Sequence, residues 1–528
     1  MLKKLIKYLP IIIFIVVVFL GGGKLLYQFS IISLLLLFSG LFLLVYKKNK
    51  FLNNIIYCNE VMLPLILIAI WALVTLFTTN CLYSTFKNVL QIAIYISFLT
   101  FALTFNSPKS TVKTLLFLNI IQSIIVISQN YFAKTPFGLF PDNPNMVSGF
   151  IASLTILSLT YILLHYETLE KNEKPLFFIS SILGILAVFS GRSRSILIIF
   201  ILIIFYLLWK RFGFKGLLAS VLILFSLIIL FNNTISKKYV KIGDPLAYYR
   251  HQLWFSAVKL TANNPVFGVG LGNYGKIFPK YNFPVENETI KYGKYTNFAH
   301  NEFLQIAAEM GIPGFLLIFW LTFVFFRALY KYDYLLLPAL ILAFQALFDM
   351  NLHLPANILL LILLFAIAQN KSGRIKALSV EKIKTYIIPL FIIMTVIYSA
   401  LFLSDLNAKS KNYLAAIKLS PLNPENYHNL SISKNIDDPE KELLLKSAQF
   451  LDRENYIYSS ELGYLYWHQA FKKRALIKSA IDEFNLSLQQ NPFNAQTCFY
   501  LGKLFYDIKE YSRAKEYISK GKFLEPNL

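Results

Sequence analysis

Residues 300–314 read HNEFLQIAAEMGIPG, a histidine, an amide and a carboxylate at the head of a run that leads into a long apolar span. An imidazole changes charge near neutral pH and can serve as a general base. Asn301 is a capping type and Glu302 suits the positive end of a helix, so the pattern sets His300 at a helix start. Two further stretches supply cations. GRSRS (191–195) carries Arg192 and Arg194 between two apolar runs, and YYRHQLW (248–254) carries Arg250 and His251 on an amphipathic segment. A guanidinium presents a planar fork of donors that matches phosphate oxygens, although arginines snorkelling at a helix start would look the same. PDNPNMVSGF (141–150) is a Pro/Asn turn leading into another span, where Asn145 and Ser148 could face a polar cavity or simply cap a helix. PVFGVGLGNY (265–274) adds a glycine turn at Gly268, Gly270 and Gly272, where a bare backbone can approach a ligand closely.

The elements that must hold these residues are set by composition. The chain has 528 residues, is 56% hydrophobic and only 15% charged, with a mean hydropathy of +0.55. Apolar runs of about 20 residues suffice to cross a bilayer, and in lipid they must be helical because no backbone group can go unpaired. Such runs recur to residue 404, giving an all-α polytopic helical membrane protein of about 12–13 spans. The expected positions are 5–20, 25–46, 60–78, 85–105, 111–130, 145–165, 175–190, 195–209, 216–232, 303–327, 334–349, 354–369 and 384–404. The first resembles a signal peptide but lacks a small-residue cleavage site, so it reads as an uncleaved span. Three scattered cysteines, Cys58, Cys81 and Cys498, offer neither a disulfide framework nor metal-ligand spacing.

Charge orients the bundle. Of the net +23, residues after 404 contribute +2 (17 Lys and Arg against 15 Asp and Glu), leaving +21 on the membrane part. Those cations sit in alternate connections, among them Lys47, Lys109, Lys113, Lys171, Lys210, Arg327 and Lys371. The positive-inside rule places these in the cytoplasm and accounts for the excess without nucleic-acid binding. The other connections then face outward: 131–144, GRSRS, the long loop 233–299, NLHLP (351–355) and everything after 404. His251, His300 and His353 all fall on this outer side. The division is a membrane domain, 1–404, and a polar, charge-balanced helical domain, 405–528. Pro492 and Pro526 are 34 residues apart and Pro424 lies 68 before Pro492. This is the tetratricopeptide period, and the tail is expected to form an α-solenoid of about two and a half repeats that binds partners or fixes geometry.

Together, PDNPN before a span, GRSRS between spans, PVFGVGLGNY in the long loop and HNEFLQIAAEMGIPG at its end resemble the O-antigen ligase and O-antigen polymerase superfamily, most specifically over 135–330. The resemblance implies a fold similar to lipid-dependent GT-C glycosyltransferases in the bacterial inner membrane. It implies transfer at the outer face of a glycan from undecaprenyl diphosphate to an acceptor hydroxyl, with no metal and no cofactor. By motif position, Arg194 and Arg250 would hold the diphosphate, with Arg192 a looser match, and His300 would activate the acceptor. Asn145, Gly270, Asn301 and Glu302 would shape the site, Glu302 either orienting His300 or binding sugar hydroxyls. The chemistry is coherent: a diphosphate leaves readily if its charge is stabilised, while a hydroxyl benefits from a base, and one direct displacement inverts the anomeric carbon. The acceptor stays open among a lipid-A core, another glycan and a protein, and envelope-assembly proteins are candidate partners of the tail. A transporter or flippase would instead show polar residues deep in its spans, and a non-catalytic scaffold would tolerate loss of Arg194, Arg250 and His300.

Overall fold

The computed structural model describes residues 6–45, 54–105, 107–132, 134–140, 143–191, 193–219, 221–222, 249–286, 288–433 and 436–527. The membrane part opens with α1 (Leu9–Phe19), α2 (Leu26–Val45), α3 (Asn59–Thr75), α4 (Leu82–Thr104), α5 (Pro108–Tyr131), α6 (Pro144–Leu164), α7 (Lys174–Ser190) and α8 (Arg194–Phe212). The connecting segment holds α9 (Arg250–Asn263) and the single turn α10 (Tyr274–Ile277). The bundle closes with α11 (Glu302–Leu329), α12 (Asp333–Ala346), α13 (Pro355–Ser372) and α14 (Val380–Lys409). Eight of these helices are long and apolar enough to cross a membrane, and α1, α3, α7 and α12 are shorter apolar helices. The chain is an all-α, multi-pass membrane protein. Twelve expected spans coincide with helices; the thirteenth, 216–232, lies mostly outside the described residues, as do Arg192 and 233–248.

The two ends of the bundle differ chemically. At one end Lys109 pairs with Glu170, Lys113 with Glu173 at 2.9 Å and Lys210 with Asp333 at 2.6 Å. The same end carries an addition that hydropathy does not reveal: Asn54–Tyr57 (β1) pairs antiparallel with Lys376–Ser379 (β2). The other end collects the turn at Gly21–Gly23, the starts of α4, α6 and α8, the 349–353 turn and the connecting segment. That segment has its own apolar core, in which Leu253, Tyr274, Phe278 and Val285 pack with Ala308 of α11.

Beyond α14 the chain forms α15 (Tyr413–Leu419), α16 (Pro424–Ser431), α17 (Asp438–Leu451), α18 (Tyr456–Ala470), α19 (Leu476–Gln490), α20 (Ala495–Asp507) and α21 (Tyr511–Leu524). Consecutive helices pack where a side chain is missing. A Cβ on Gly463 would lie 2.7 Å from Phe484, and one on Gly502 would lie 2.7 Å from Ile518. These helices dock on the second end of the bundle. Fully buried Asp452 receives Lys276 Nζ at 2.5 Å, Arg453 donates its N–H to the Asn80 carbonyl, and Tyr292 stacks on Phe493 with ring centroids 4.0 Å apart.

Candidate active site

The two most distinctive motifs meet as halves of one junction. α11 breaks at Gly311, which has φ 69°, and Pro313 removes a helical donor just beyond it. The carbonyls released by the break are taken up by the glycine turn and by Trp71 of α3. Val269 donates to the Ala308 carbonyl at 3.1 Å, Gly270 to that of Glu309 at 2.9 Å, and Trp71 Nε1 to that of Met310 at 2.8 Å. In return Ile312 donates to the Pro265 carbonyl at 2.8 Å. The Glu309 side chain, 3% exposed, accepts from the N–H groups of Gly272 and Tyr274. The close approach that the glycines permit is thus to protein. A Cβ on Gly270 would lie 2.2 Å from Thr79 Oγ1, and one on Gly311 would lie 2.1 Å from the Val266 carbonyl oxygen. Gly270 seats the loop on α11.

His300 stands immediately before α11. Asn301 caps that helix by accepting from Leu304 N–H at 3.0 Å, as its type predicts, and donates from Nδ2 to the Leu347 carbonyl. His300 itself adopts a left-handed backbone, φ 52°. That conformation costs a non-glycine residue on the order of 1–3 kcal/mol and persists only where the surroundings enforce it. Here Trp254 Nε1 donates to its carbonyl at 3.3 Å, and its ring Nδ1 lies 3.1 Å from Asp349 Oδ1.

Asp349, 1% exposed in the connection between α12 and α13, is the hub of the site. Its Oδ1 accepts from His300 and from the Met350 N–H at 3.0 Å. Its Oδ2 accepts from Arg250 Nη2 at 3.3 Å and from Asn145 Nδ2 at 2.5 Å. Arg250 also donates to the Phe348 carbonyl. Burial alone would raise the Asp349 carboxyl, but the hydrogen bond from His300 and the Arg250 charge outweigh it and hold the group below its ordinary value. An ionised carboxylate only accepts, so it fixes the imidazole proton on Nδ1 and leaves Nε2 as the basic nitrogen. Among the described residues Nε2 has no partner.

Three of the residues singled out from sequence therefore converge: His300, Arg250 and Asn145 touch one carboxylate. Arg194 lies half-buried in the first turn of α8. The turn before it rests on the start of α6, since a Cβ on Gly191 would lie 2.8 Å from Ser148 Oγ, one turn on from Asn145. Arg192 lies outside the described residues. Glu302 is occupied elsewhere: it accepts from Leu352 N–H at 2.9 Å and from His353 Nδ1, tying the 351–353 turn to α11. His353 Nε2 in turn accepts from Gln305. The residue that sequence reading missed is Asp349. Its signal was an ionisable group at the mouth of a span, four residues before His353, hidden because the span was drawn through it. Among the described residues, no group of three or more His, Cys, Asp or Glu side chains is clustered as metal ligands would be.

No curated protein matches the chain. The O-antigen ligase family model matches residues 179–319, a stretch that runs from α7 through GRSRS, Arg250 and the glycine turn to His300 and the break in α11. That match falls on the stretch that carries Arg194, Arg250 and His300, and it supports the chain's likeness to the O-antigen ligase superfamily.

Proposed function

We propose that this protein transfers a glycan from undecaprenyl diphosphate to an acceptor hydroxyl at the outer face of the bacterial inner membrane. A glycosyltransferase of ligase or polymerase type is what the match to the O-antigen ligase family implies in general. The observation that carries the finer reading is the shared carboxylate: His300 Nδ1 on one oxygen of Asp349 and Arg250 on the other. Asp349 holds the imidazole so that Nε2 can take the acceptor proton. Arg250 spends only part of its five-donor fork on Asp349 and Phe348, and with Arg194 it supplies positive charge for a departing diphosphate. The acceptor oxygen attacks the anomeric carbon as the bond to the diphosphate breaks, the proton passes to Nε2, and the configuration inverts. Resting a base and a cation on one carboxylate keeps them adjacent without direct repulsion.

Metal-independence belongs to the same reading, because arginines do the work of a divalent ion at the diphosphate. The 405–528 domain is read as a tetratricopeptide solenoid on the outer side, docked beside the site where it can present an acceptor or an assembly partner. The test is reconstitution with undecaprenyl diphosphate-linked glycan and three acceptors: lipid-A core, a second lipid-linked glycan and a protein. Wild type should form product with one of them and retain activity with chelator. Full activity in His300→Ala would sink the base assignment, and chelator sensitivity would sink the metal-free mechanism.

A further inference from the structure

A second polar site lies at the lysine-rich end of the bundle, opposite His300. A cavity of about 350 Å³ opens among the starts of α5 and α12 and the ends of α6 and α13, lined by Lys109, Lys113, His165, Glu173, Tyr334 and Lys371. Ligand cavities commonly start at about 300 Å³. Its charge does not balance: three lysines face one carboxylate. Glu173 takes Lys113 at 2.9 Å and Lys109 at 3.0 Å, and Lys109 also pairs with Glu170 outside. Burial alone would raise the Glu173 carboxyl, but the two lysines bring it down to about 2, so it stays ionised and ion-paired. Lys371 has no carboxylate partner among the described residues and stands over the Tyr334 ring, 4.8 Å from its centroid.

Two further groups in the lining lack partners. Tyr334 is 6% exposed and its hydroxyl is buried with no hydrogen bond among the described residues; His165 Nε2 is in the same state. A buried polar group left unpaired is costly, and a ligand with acceptor oxygens would satisfy both. The remaining wall is apolar, with Val112, Leu169, Phe177 and Ile367 beside the cations. A compact anion with several acceptor oxygens fits the lysine, the phenol and the imidazole, and an acyl chain fits the rest.

We propose that this cavity binds a phosphate group, carried by the headgroup of an anionic lipid of the leaflet at that end or present as free phosphate. Basic pockets between membrane helices recruit such headgroups, with each lysine near the surface contributing about 1 kcal/mol. The inference does not depend on the glycosyl-transfer reading, because neither the residues nor the readout involve the His300 site.

The test uses the full chain in detergent. Native mass spectrometry should show preferential retention of phosphatidylglycerol over phosphatidylcholine, and Lys371→Gln should lower that retention about fivefold. Lys371 is exposed at the end of α13, so the change leaves the fold intact. Lys371→Arg should keep the preference, Tyr334→Phe should weaken it, and Lys376→Gln, outside the cavity, should not alter it. Thermal stabilisation by inorganic phosphate at constant ionic strength, lost in Lys371→Gln and without lipid preference, would identify free phosphate as the ligand. The proposal is overturned if neither probe discriminates, or if Lys376→Gln acts as strongly as Lys371→Gln.

Discussion

His300 and Asp349 lie 49 positions apart in the chain and 3.1 Å apart in space, imidazole Nδ1 against carboxylate Oδ1. The contact joins the residue before α11 to the connection after α12, so one helical hairpin closes on it. If the carboxylate selects the tautomer, Asp349→Asn should lower kcat by about 10²–10⁴ with little change in KM, as for loss of a base or its orienting group. Asp349→Glu should recover part of it. Steady-state kinetics on reconstituted protein decides, and equal losses in the Asn and Glu variants would point to a purely structural role.

The same carboxylate makes stability depend on acid. The Asp349 carboxyl titrates below its ordinary value of 3.8 in the folded protein. Its contribution is therefore fully present above that value and is lost as the pH falls through the lower folded value. Thermal melting should decline more steeply below about pH 4 in wild type than in Asp349→Asn, which lacks the titrating group and should be less stable at neutral pH. Parallel curves for the two proteins would remove Asp349 from the acid limb.

Gly311 and Gly373 share nearly the same φ, 69° and 66°, but differ in ψ, −174° against 9°, and in their surroundings. A Cβ on Gly311 meets the Val266 carbonyl at 2.1 Å, whereas one on Gly373 meets nothing within 4 Å. Gly373→Ala should cost about 1 kcal/mol from its left-handed backbone, and Gly311→Ala at least about 2–3 kcal/mol more, because its backbone lies where essentially only glycine is found and because the loop must lift from α11. Melting temperatures of the two variants in one detergent provide the comparison. Equal losses would mean that neither the Gly311 backbone nor the packing of Val266 against the break adds to the cost.

Lys276 and Asp452 bind the connecting segment to the C-terminal domain. Removing one member of a buried pair leaves an uncompensated charge and costs about 3–5 kcal/mol, whereas replacing both with apolar residues can be neutral. Lys276→Met should make the C-terminal domain markedly easier to release with protease while the membrane helices resist, and Lys276→Met with Asp452→Leu should restore resistance. A double variant as sensitive as the single one would place the docking energy elsewhere, for instance in the Tyr292–Phe493 stack.

Much of this was legible in sequence because hydropathy and helix caps are local signals. Twelve apolar helices follow from apolar runs, and the cap at Asn301 follows from residue type. His300 and Arg250 stood out because polar groups at a membrane surface require a reason. What stayed hidden depends on pairing across the chain. Asp349 carries no motif and gains meaning only from three donors at positions 145, 250 and 300. Glu302, two residues beyond His300, looked like its partner but turns to His353 instead, because residues two apart at a helix start point in different directions. The glycine turn looked like a ligand cradle, and only the break at Gly311 reveals that its neighbour is α11. The strands at 54–57 and 376–379 are too short to leave a periodic trace.

The hairpin that brings His300 to Asp349 also makes the site a matter of helical phase. Each residue inserted into α11 or α12 turns the far end by about 100°. A one-residue insertion within 315–345 would leave hydropathy, span count and every motif unchanged, yet swing Asp349 away from the imidazole. Insertions near a whole turn would restore its direction while shifting its depth. The spans between the two polar clusters thus act as a ruler, and their lengths should tolerate far less variation than their apolar side chains.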